Sequence, residues 1–404
     1  MASTSCRNRR SASSHHVVAG DGPASLLACD RPGPPIRRTT CHPVFRLLVL
    51  TASRGWQLFV RRGADCQVPG RAAELPAGRT RHVSGAAAPV LERYDADVVI
   101  LALDRPEETL AAIHSALLQR GVSRHVWVVD QGSTPETLVR LAASVAGRDD
   151  ATLVTLGGNH GVAGGRNRGS ALGHGRVIFG LDNDAEFAGP DVLAGAVAVL
   201  DADSGLAALG CRILSHDSGT DDLSSWGYPR PLLPRAGECF DTVSFVGAGH
   251  AIRRTAWQQA GGYDEALFFC WEEFDFCLRA IALGWQVQYR GELVVLHKVS
   301  GEQRMAWSGR RWFHFVRNRL YIARKYGSPW MALLPRFAGY LLKGARHGLL
   351  RQTLAAWPAA MRLARDRRCA RLPPPAHAYL RRHDHLPRGG WWARLRHEVL
   401  ADLL

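Results

Sequence analysis

The 404-residue sequence has no Cys-x-x-Cys pair and no long apolar run. Its nine cysteines are an odd number without zinc-binding spacing, which argues against a zinc knuckle and against a disulfide framework. No apolar run reaches the ~18 residues that a membrane-spanning helix needs. No compact apolar segment follows Arg7, Arg9 and Arg10, as it would in a secretory signal. We therefore expect a cytoplasmic protein.

Acidic residues are scarce at both ends of the chain. Residues 1–95 contain 14 Lys and Arg against 6 Asp and Glu, and residues 304–404 contain 21 against 4. Residues 96–303 are acidic, with 16 basic and 26 acidic side chains. This pattern argues against a nucleic-acid-binding core and for basic ends that visit an anionic surface, membrane or nucleic acid. We predict a membrane surface as the partner and no nucleic acid.

Strand-like and helical patterns alternate from residue 96 onwards. Strands are predicted at 97–103, 125–129, 151–156, from Val177, and at 206–214, 285–289 and 293–296; helices are predicted at 106–119, 164–173, 190–201 and 271–283. Such alternation builds a mostly parallel sheet with helices on both faces, and ligands bind at the carboxyl ends of its strands. Asp104, Asp130 and Asp182 stand at such ends.

Composition divides the chain into three regions. Residues 1–92 are basic and rich in Arg, Pro, Ser, Gly and Ala, so we expect a largely disordered extension. Residues 93–327 hold the α/β domain, and residues 328–404 are predicted to be a basic amphipathic helical tail. We expect a chain that ends near Gly327 to stay folded.

The predicted tail has two apolar stretches, 330–342 with Arg336 inside it and 349–363 around Trp357, and arginines and a cluster of Trp391, Trp392, Arg394 and Arg396 follow. Helices of this composition lie in the headgroup layer of anionic bilayers. The alternative is that these helices cover the α/β domain or pair with another subunit.

The segment VIFGLDNDAEF, at 177–187, is an apolar run that ends in Asp182, Asn183 and Asp184. In an extended segment, side chains at i and i+2 share a face, so the two carboxylates can jointly offer oxygen ligands to Mg²⁺ or Mn²⁺ bound to a diphosphate. An isolated Asp-x-Asp is more often a solvated turn after a strand. The motif therefore gains meaning only from the rest of the chain.

Six motifs follow one another in a recognisable order: VVILALDRPEETL, VWVVDQGSTPETL, NHGVAGGRNRG, FGLDNDAEF, GYDEALFFCWEEFDFCLR and VLHKVS. Together they resemble glycosyltransferase family 2, and most closely its rhamnosyltransferase-like branch, over roughly residues 96–327. The resemblance implies the GT-A fold, which is Rossmann-like, and an inverting transfer from a nucleotide-sugar donor. It implies UDP or dTDP as the nucleotide, and a glycan or lipid-linked acceptor.

The resemblance also implies donor-binding residues, which are Asp104, Asp130, Gly164, Gly165, Arg166, Asn167 and Asp182. Asp130 matches the acid that contacts the pyrimidine, and its alternative is a turn-capping Asp. The glycines precede the predicted helix and would let backbone approach the donor, whereas the alternative is a plain glycine turn.

The resemblance assigns the metal, Mn²⁺ or Mg²⁺, to Asp182, Asp184 and His297; a lone His is otherwise a core or surface residue. Glu273 stands where the family has its catalytic base. Glu272 and Asp275 share a helical face as further catalytic candidates, although acids also favour a helix N-terminus without any catalytic role. Trp271 is the predicted acceptor-stacking residue.

Two other functions are kept as rivals. A nicotinamide-dependent oxidoreductase could use a similar sheet, but no Gly-x-Gly-x-x-Gly follows the first strand, and the Asp-x-Asp would be idle. A catalytically dead membrane-surface adaptor conflicts with the intact Asp182, Asp184 and Glu273. We therefore predict an inverting, metal-dependent glycosyltransferase that is cytoplasmic and peripheral at the inner face of the plasma membrane.

Overall fold

The computed structural model describes a strand at residues 81–83 and then residues 94–298, 308–367 and 371–383. Most of the predicted extension 1–92 and the cluster around Trp391 lie outside the described residues. Within the described ranges, no helix is both long and apolar enough to cross a membrane.

The described residues form one ten-stranded mixed sheet. Its strands are β1 Arg81–Val83, β2 Ala96–Ala102, β3 Arg124–Asp130, β4 Ala151–Thr155, β5 Val177–Leu181, β6 Ala185–Phe187, β7 Leu206–Ser215, β8 Cys239–Thr242, β9 Gly249–Arg253 and β10 Gln286–His297. Their order is β1-β4-β3-β2-β5-β9-β7-β10-β6, and β8 pairs with β10. Strands β2, β3, β4, β5, β7 and β10 run in one direction, as the predicted mostly parallel sheet requires.

Ten helices accompany the sheet in the described ranges: α1 Pro106–Leu117, α2 Pro135–Val145, α3 Gly161–Leu172, α4 Val192–Ala202, α5 Arg254–Ala260, α6 Glu272–Ala282, α7 Gly309–Lys325, α8 Leu334–Arg346, α9 Leu350–Asp366 and α10 Pro374–His383. Pro106 and Pro135 begin α1 and α2, because the fixed φ of proline suits the first helical turn. The side chain of Thr134 also caps α2 by accepting a hydrogen bond from the Thr137 backbone nitrogen.

Two sequence-based boundaries are corrected. The separate strands predicted at 285–289 and 293–296 are one strand, β10, with a register shift between Arg290 and Val294. It is continuous because β8 pairs with its first part and β6 with its last part. Helix α3 begins three residues earlier than predicted, at Gly161, so Gly164 and Gly165 lie inside the helix rather than in the turn before it.

The sheet is covered on both faces, which explains why β2 is buried along its whole length. Helices α1, α2 and α4 pack on one face, through residues such as Ile113, Leu141 and Leu193. Helices α3, α5, α6 and α10 pack on the other, for example through Trp257 and Phe276. The predicted α/β architecture with helices on both faces is thereby confirmed.

The C-terminal helices share a third hydrophobic cluster with the α/β part. Ala356, Ala360 and Ala364 of α9 are buried in the same cluster as Trp312 of α7 and Leu278 of α6. A cut at Gly327 would remove α8 and α9 and leave this cluster open to water. We therefore no longer expect such a shortened chain to stay folded. The inward faces of these helices agree with the alternative that the helices cover the α/β domain.

We predict that Trp312→Ala lowers the free energy of unfolding by about 3–5 kcal/mol, because Trp312 is fully buried and its Nε1 donates to Thr353 Oγ1 at 2.8 Å. Chemical denaturation measures the change. Trp330→Ala is the matched control; Trp330 is 53% exposed, so we expect a change within about 0.5 kcal/mol. Equal losses in the two variants would contradict the packing of α7 against α9.

Candidate functional site

The carboxyl ends of β2, β3 and β5 bring the three predicted acids to one edge of the sheet. Ala102 pairs in register with Asp130, and Asp182 directly follows β5. The Asp104 backbone nitrogen donates to Ser133 Oγ at 2.8 Å, and the Asp104 carboxylate accepts from the Thr134 nitrogen at 2.9 Å. These bonds join the loop after β2 to the turn after β3.

Asp130 has the turn-capping geometry that was its alternative interpretation. Its carboxylate accepts hydrogen bonds from the backbone nitrogens of Gly132 and Ser133, at 3.1 and 3.0 Å, and its side chain is buried. Capping uses one lone pair on each oxygen and leaves acceptor capacity on both. The predicted contact with a pyrimidine stays a prediction.

The glycine-rich helix start packs tightly against the turn after β3. Gln131 Oε1 accepts from the His160 nitrogen at 3.0 Å, and a Cβ on Gly165 would lie only 2.9 Å from the Gln131 amide carbon. A larger residue at 165 would therefore displace the Gln131 side chain from this position. This contact holds the start of α3 against the turn after β3. The predicted contact of Gly164 and Gly165 with a donor stays a prediction.

Arg166 is a buried guanidinium at the centre of the site. Its Nη1 donates to the Val99 carbonyl at 3.0 Å, and its Nη2 pairs with Asp182 Oδ1 at 2.7 Å and with the Gly247 carbonyl at 3.2 Å. The neighbouring Asn167 points elsewhere: its amide donates to the Tyr263 carbonyl and accepts from the Tyr263 nitrogen. Asn167 thus fixes the segment before α6, and its predicted donor contact stays a prediction.

Asp184 and His297 come together as predicted, while Asp182 faces Arg166. His297 ends β10 and pairs in register with Ala185, which brings its Nε2 to 3.3 Å from Asp184 Oδ1. Its Nδ1 lies 3.0 Å from Asp222 Oδ2. A carboxylate only accepts, so the Asp222 contact favours a proton on Nδ1; in the neutral ring Nε2 then carries the lone pair, on the side of Asp184, where a cation could be bound by both side chains.

Asp222 was missed by sequence analysis, because it lies in the loop between β7 and β8 without a motif around it. It is 6% exposed, and it also accepts from Ser225 Oγ at 2.7 Å and from the Ser224 nitrogen at 3.0 Å. A carboxylate behind the distal nitrogen of a histidine is the usual support of a metal-binding imidazole. The donor set of Asp184 and His297 therefore fits a divalent cation.

Two observations limit the metal site. No group of three or more acidic, His or Cys side chains in the described ranges is close enough together to hold a metal ion. Arg105 Nη1 also pairs with Asp184 Oδ2 at 2.8 Å and so supplies positive charge at this position. The pair Asp184 and His297 would accordingly offer a cation two protein ligands and leave the remaining positions to water or to substrate oxygens.

Glu272 and Glu273 begin α6 beside this edge. Burial raises the pKa of Glu273 to about 7; the charge of Asp182 raises it too, whereas Arg166 lowers it. Burial, with a further contribution from Glu273, raises the pKa of Glu272 well above its usual range, and Glu272 Oε2 is buried without a hydrogen-bond partner. The ionisation of each of these two carboxyl groups therefore depends on the charges of its neighbours, among them Asp182 and Arg166.

Asp275 faces away from this site. Both of its oxygens accept from Lys325 Nζ, at 2.8 and 3.0 Å, and Arg279 Nε donates to one of them at 3.0 Å. The side chain is fully buried. Asp275 therefore anchors α6 to α7, and the geometry does not favour it as a catalytic base.

The turn that leads into α6 is strained. Phe268, Cys270 and Trp271 all have positive φ, at 62°, 69° and 73°, a region that bulky residues rarely adopt. The buried Asn318 of α7 offsets this strain, since its amide nitrogen lies 2.8 Å from the carbonyl oxygens of Leu267, Phe269 and Cys270, which share its two hydrogens. Such strain is typical of functional sites.

Trp271 packs against α7 in the same turn. Its Nε1 donates to the Phe315 carbonyl at 3.1 Å, and the Arg319 guanidinium lies 5.2 Å from the centre of its ring. The predicted stacking of Trp271 on an acceptor sugar stays a prediction.

A family model, described as Glycosyl transferase family 2, matches residues 97–260 of this chain. These residues are a family 2 glycosyltransferase domain. The match covers β2 to α5 and includes Arg166, Asp182 and Asp184. The match favours a glycosyltransferase, and the oxidoreductase rival is set aside.

Two solved structures are similar to the chain in shape. A mannosyltransferase, PcManGT from Pyrobaculum calidifontis in complex with GDP-Man and Mn²⁺, is 21% identical, with a TM-score of 0.47 over 78% of this chain and 87% of that one. GalNAc-T7 with UDP, GalNAc and Mn²⁺ is 16% identical, with a TM-score of 0.48 over 73% of this chain and 58% of that one. At these TM-scores neither likeness bears on ligands. No curated protein matches the chain significantly.

We predict that Asp222→Asn lowers Mn²⁺ affinity by about 10- to 100-fold, because His297 loses the carboxylate that orients its ring. Titration with Mn²⁺, followed by the electron paramagnetic resonance of the free ion, measures this without any assay of transfer. Asp217→Asn is the matched control: it removes the same charge from the same loop at a side chain that is 83% exposed. Unchanged affinity in Asp222→Asn would contradict the orienting role.

Proposed function

We propose that the protein is an inverting, metal-dependent glycosyltransferase that moves a sugar from a nucleoside diphosphate to an acceptor hydroxyl. The observation that carries the proposal is the grouping of Glu273, with a pKa raised to about 7, beside Asp182 and Arg166 at the edge that also holds Asp184 and His297. Inversion requires one base on the acceptor side and charge stabilisation on the diphosphate side, and this edge offers both.

Asp184 and His297 are the proposed protein ligands of Mn²⁺ or Mg²⁺, and Asp222 orients His297. When bound, the cation would neutralise charge on the departing diphosphate. Asp182 has a different proposed role. Arg166 holds its carboxylate in place, and the carboxylate can accept a hydrogen bond from a hydroxyl of the donor. Arg105, which is paired with Asp184, would meet a phosphate oxygen of the donor.

Glu273 is the proposed base. Of the three acids at the start of α6, Asp275 is occupied by Lys325 and Arg279. Glu272 is buried, and burial raises its pKa well above the usual range of a carboxyl group. Of the three, only Glu273 is partly exposed and has a pKa near neutral pH. At that pH part of the population is ionised, and the ionised form can still accept a proton.

The finer identity of the substrates rests on the sequence motifs. We propose UDP or dTDP as the nucleotide, because Asp130 retains acceptor capacity toward a pyrimidine N3–H. We propose a hydroxyl of a glycan or of a lipid-linked sugar as the acceptor, in keeping with the rhamnosyltransferase-like motifs. A panel of nucleotide sugars, followed by nucleotide release in the presence of Mn²⁺, tests the donor directly.

We predict that Asp184→Asn weakens Mn²⁺ binding by about 100-fold or more, whereas Asp182→Asn weakens it by less than about tenfold. The reason is that Asp184 faces His297 while Asp182 faces Arg166. Mn²⁺ titration of both variants decides between them, and both should lose transfer. Equal losses of affinity would show that the two carboxylates share the metal equally.

We predict that Glu273→Gln lowers kcat by about 10²- to 10⁴-fold while donor affinity is kept, because an amide cannot accept the acceptor proton. In the wild type, kcat/KM should rise with pH and level off above about 7, since the base must be deprotonated. This acid limb should persist in Glu272→Gln and vanish from the residual activity of Glu273→Gln. A limb that persists in Glu273→Gln would rule out this base.

Stability offers a second readout of the same carboxyl. A group whose pKa is raised in the folded state contributes stability below its ordinary value, and this contribution is lost as pH rises through the folded value. The free energy of unfolding of the wild type should therefore fall between about pH 4.5 and pH 7. Glu273→Gln should reduce this slope without any dependence on substrate.

A further inference from the structure

The outward face of α8 is apolar. Leu334, Pro335, Ala338, Leu342 and Ala345 are all exposed and recur at helical spacing. The inward face is apolar too: Phe337 packs on Trp357, and Tyr340 packs on Trp312. A surface helix of a water-facing protein carries polar residues on its outer side, so α8 departs from that pattern.

Large apolar side chains are concentrated around this helix. Of the eleven exposed large hydrophobic residues in the described ranges, six lie between positions 330 and 354: Trp330, Met331, Leu334, Leu342, Leu350 and Leu354. Trp330 and Met331 form the 3₁₀ turn before α8, and Leu350 and Leu354 begin α9. We call these six residues the apolar patch. A concentration of this kind marks an interaction surface.

The surroundings of the apolar patch are basic. The sequence from 303 to 365 contains 13 Lys and Arg and no Asp or Glu, and of these Lys325 is buried between Asp264 and Asp275. Arg336, Lys343 and Arg346 belong to α8 itself. A second copy of the chain would bring two surfaces of the same positive sign together, which costs free energy. The charge therefore favours an anionic partner over self-association.

A groove beside Trp330 adds a place for a single anionic group. It has a volume of about 290 Å³ and is lined by Arg324, Trp330, Trp357, Met361 and Arg365. Two guanidinium groups together with two indoles and a thioether suit a phosphate that is joined to apolar matter. None of the lining residues belongs to the glycosyl-transfer site.

We propose that the apolar patch and this groove dock the protein on an anionic phospholipid bilayer. Helix α8 lies in the headgroup layer with Leu334 and Leu342 turned toward the acyl chains. The flanking basic side chains meet anionic headgroups, and the groove takes one lipid phosphate between Arg324 and Arg365. This proposal does not depend on the chemistry of transfer, and it goes beyond the general basic tail expected from sequence by naming the surface.

The test is flotation of the full chain with phosphatidylcholine vesicles and with vesicles that also contain phosphatidylglycerol. We expect the wild type to float with the anionic vesicles at low salt and to be released at high salt. Leu334→Ser with Leu342→Ser should lower the partition coefficient by about tenfold or more, since two leucines lose their burial. Arg365→Glu should weaken binding to the anionic vesicles only.

Leu118→Ser with Leu283→Ser is the matched control, because both leucines are exposed and lie outside the apolar patch. This control should float like the wild type. The proposal is overturned if the Leu334 and Leu342 variant floats as well as the wild type, since any binding would then come from elsewhere in the chain. It is also overturned if no vesicle binds the wild type, or if the variant only abolishes a dimer seen by sedimentation.

Discussion

The buried guanidinium of Arg166 is the interaction on which the site depends. A positive charge inside a protein is tolerated only when charge and hydrogen bonds compensate it, and here Asp182 and two carbonyls do so. Those partners come from the middle of β2, the end of β5 and the loop before β9. The same contacts that make the burial of Arg166 tolerable therefore hold three separate segments in register at the catalytic edge.

The charge of Arg166 also sets the electrostatics of its neighbours. Asp182, Glu272 and Glu273 are three acids in one partly buried site, and without a cation their mutual repulsion would drive protons onto them. Arg166 lowers the pKa values of Glu272 and Glu273, against the larger effect of burial. For His250, burial and the charge of Arg166 both act to lower the pKa, so this histidine is neutral at pH 7. As a result, the pKa of Glu273 lies near neutral pH, at about 7.

Contacts with α7 fix the position of α6 and so of Glu273. Lys325 lies between Asp264 and Asp275, and Asn318 stabilises the strained turn at 268–271. A buried lysine between two carboxylates is costly to break, because removal of either partner leaves an uncompensated charge. Helix α7 therefore stabilises the α/β domain, although it follows the segment that the family model matches.

The sequence predicted the sheet and the acids at its carboxyl edge, because these depend on strand patterns and on motif order, and the binding of a metal by Asp182, Asp184 and His297 stays a prediction. It could not predict Asp222 or Arg105, since contacts made by loop residues depend on tertiary packing rather than on local pattern. It also could not separate Asp275 from Glu273. Both are acids near the start of one helix, and only the position of Lys325 shows which of them is anchored.

Burial decides the roles of the C-terminal helices in the same way. Their composition predicted amphipathic segments, but an apolar stripe in a sequence does not say whether protein or lipid covers it. In α9 the stripe of Ala356, Ala360 and Ala364 faces α7, whereas in α8 one apolar face is covered and a second is not. Helix α7 contacts both Trp271, the residue before α6, and Tyr340 of α8. A surface that rests on α8 would therefore stand at a fixed geometry to the start of α6, which is the constraint that a lipid-linked acceptor requires.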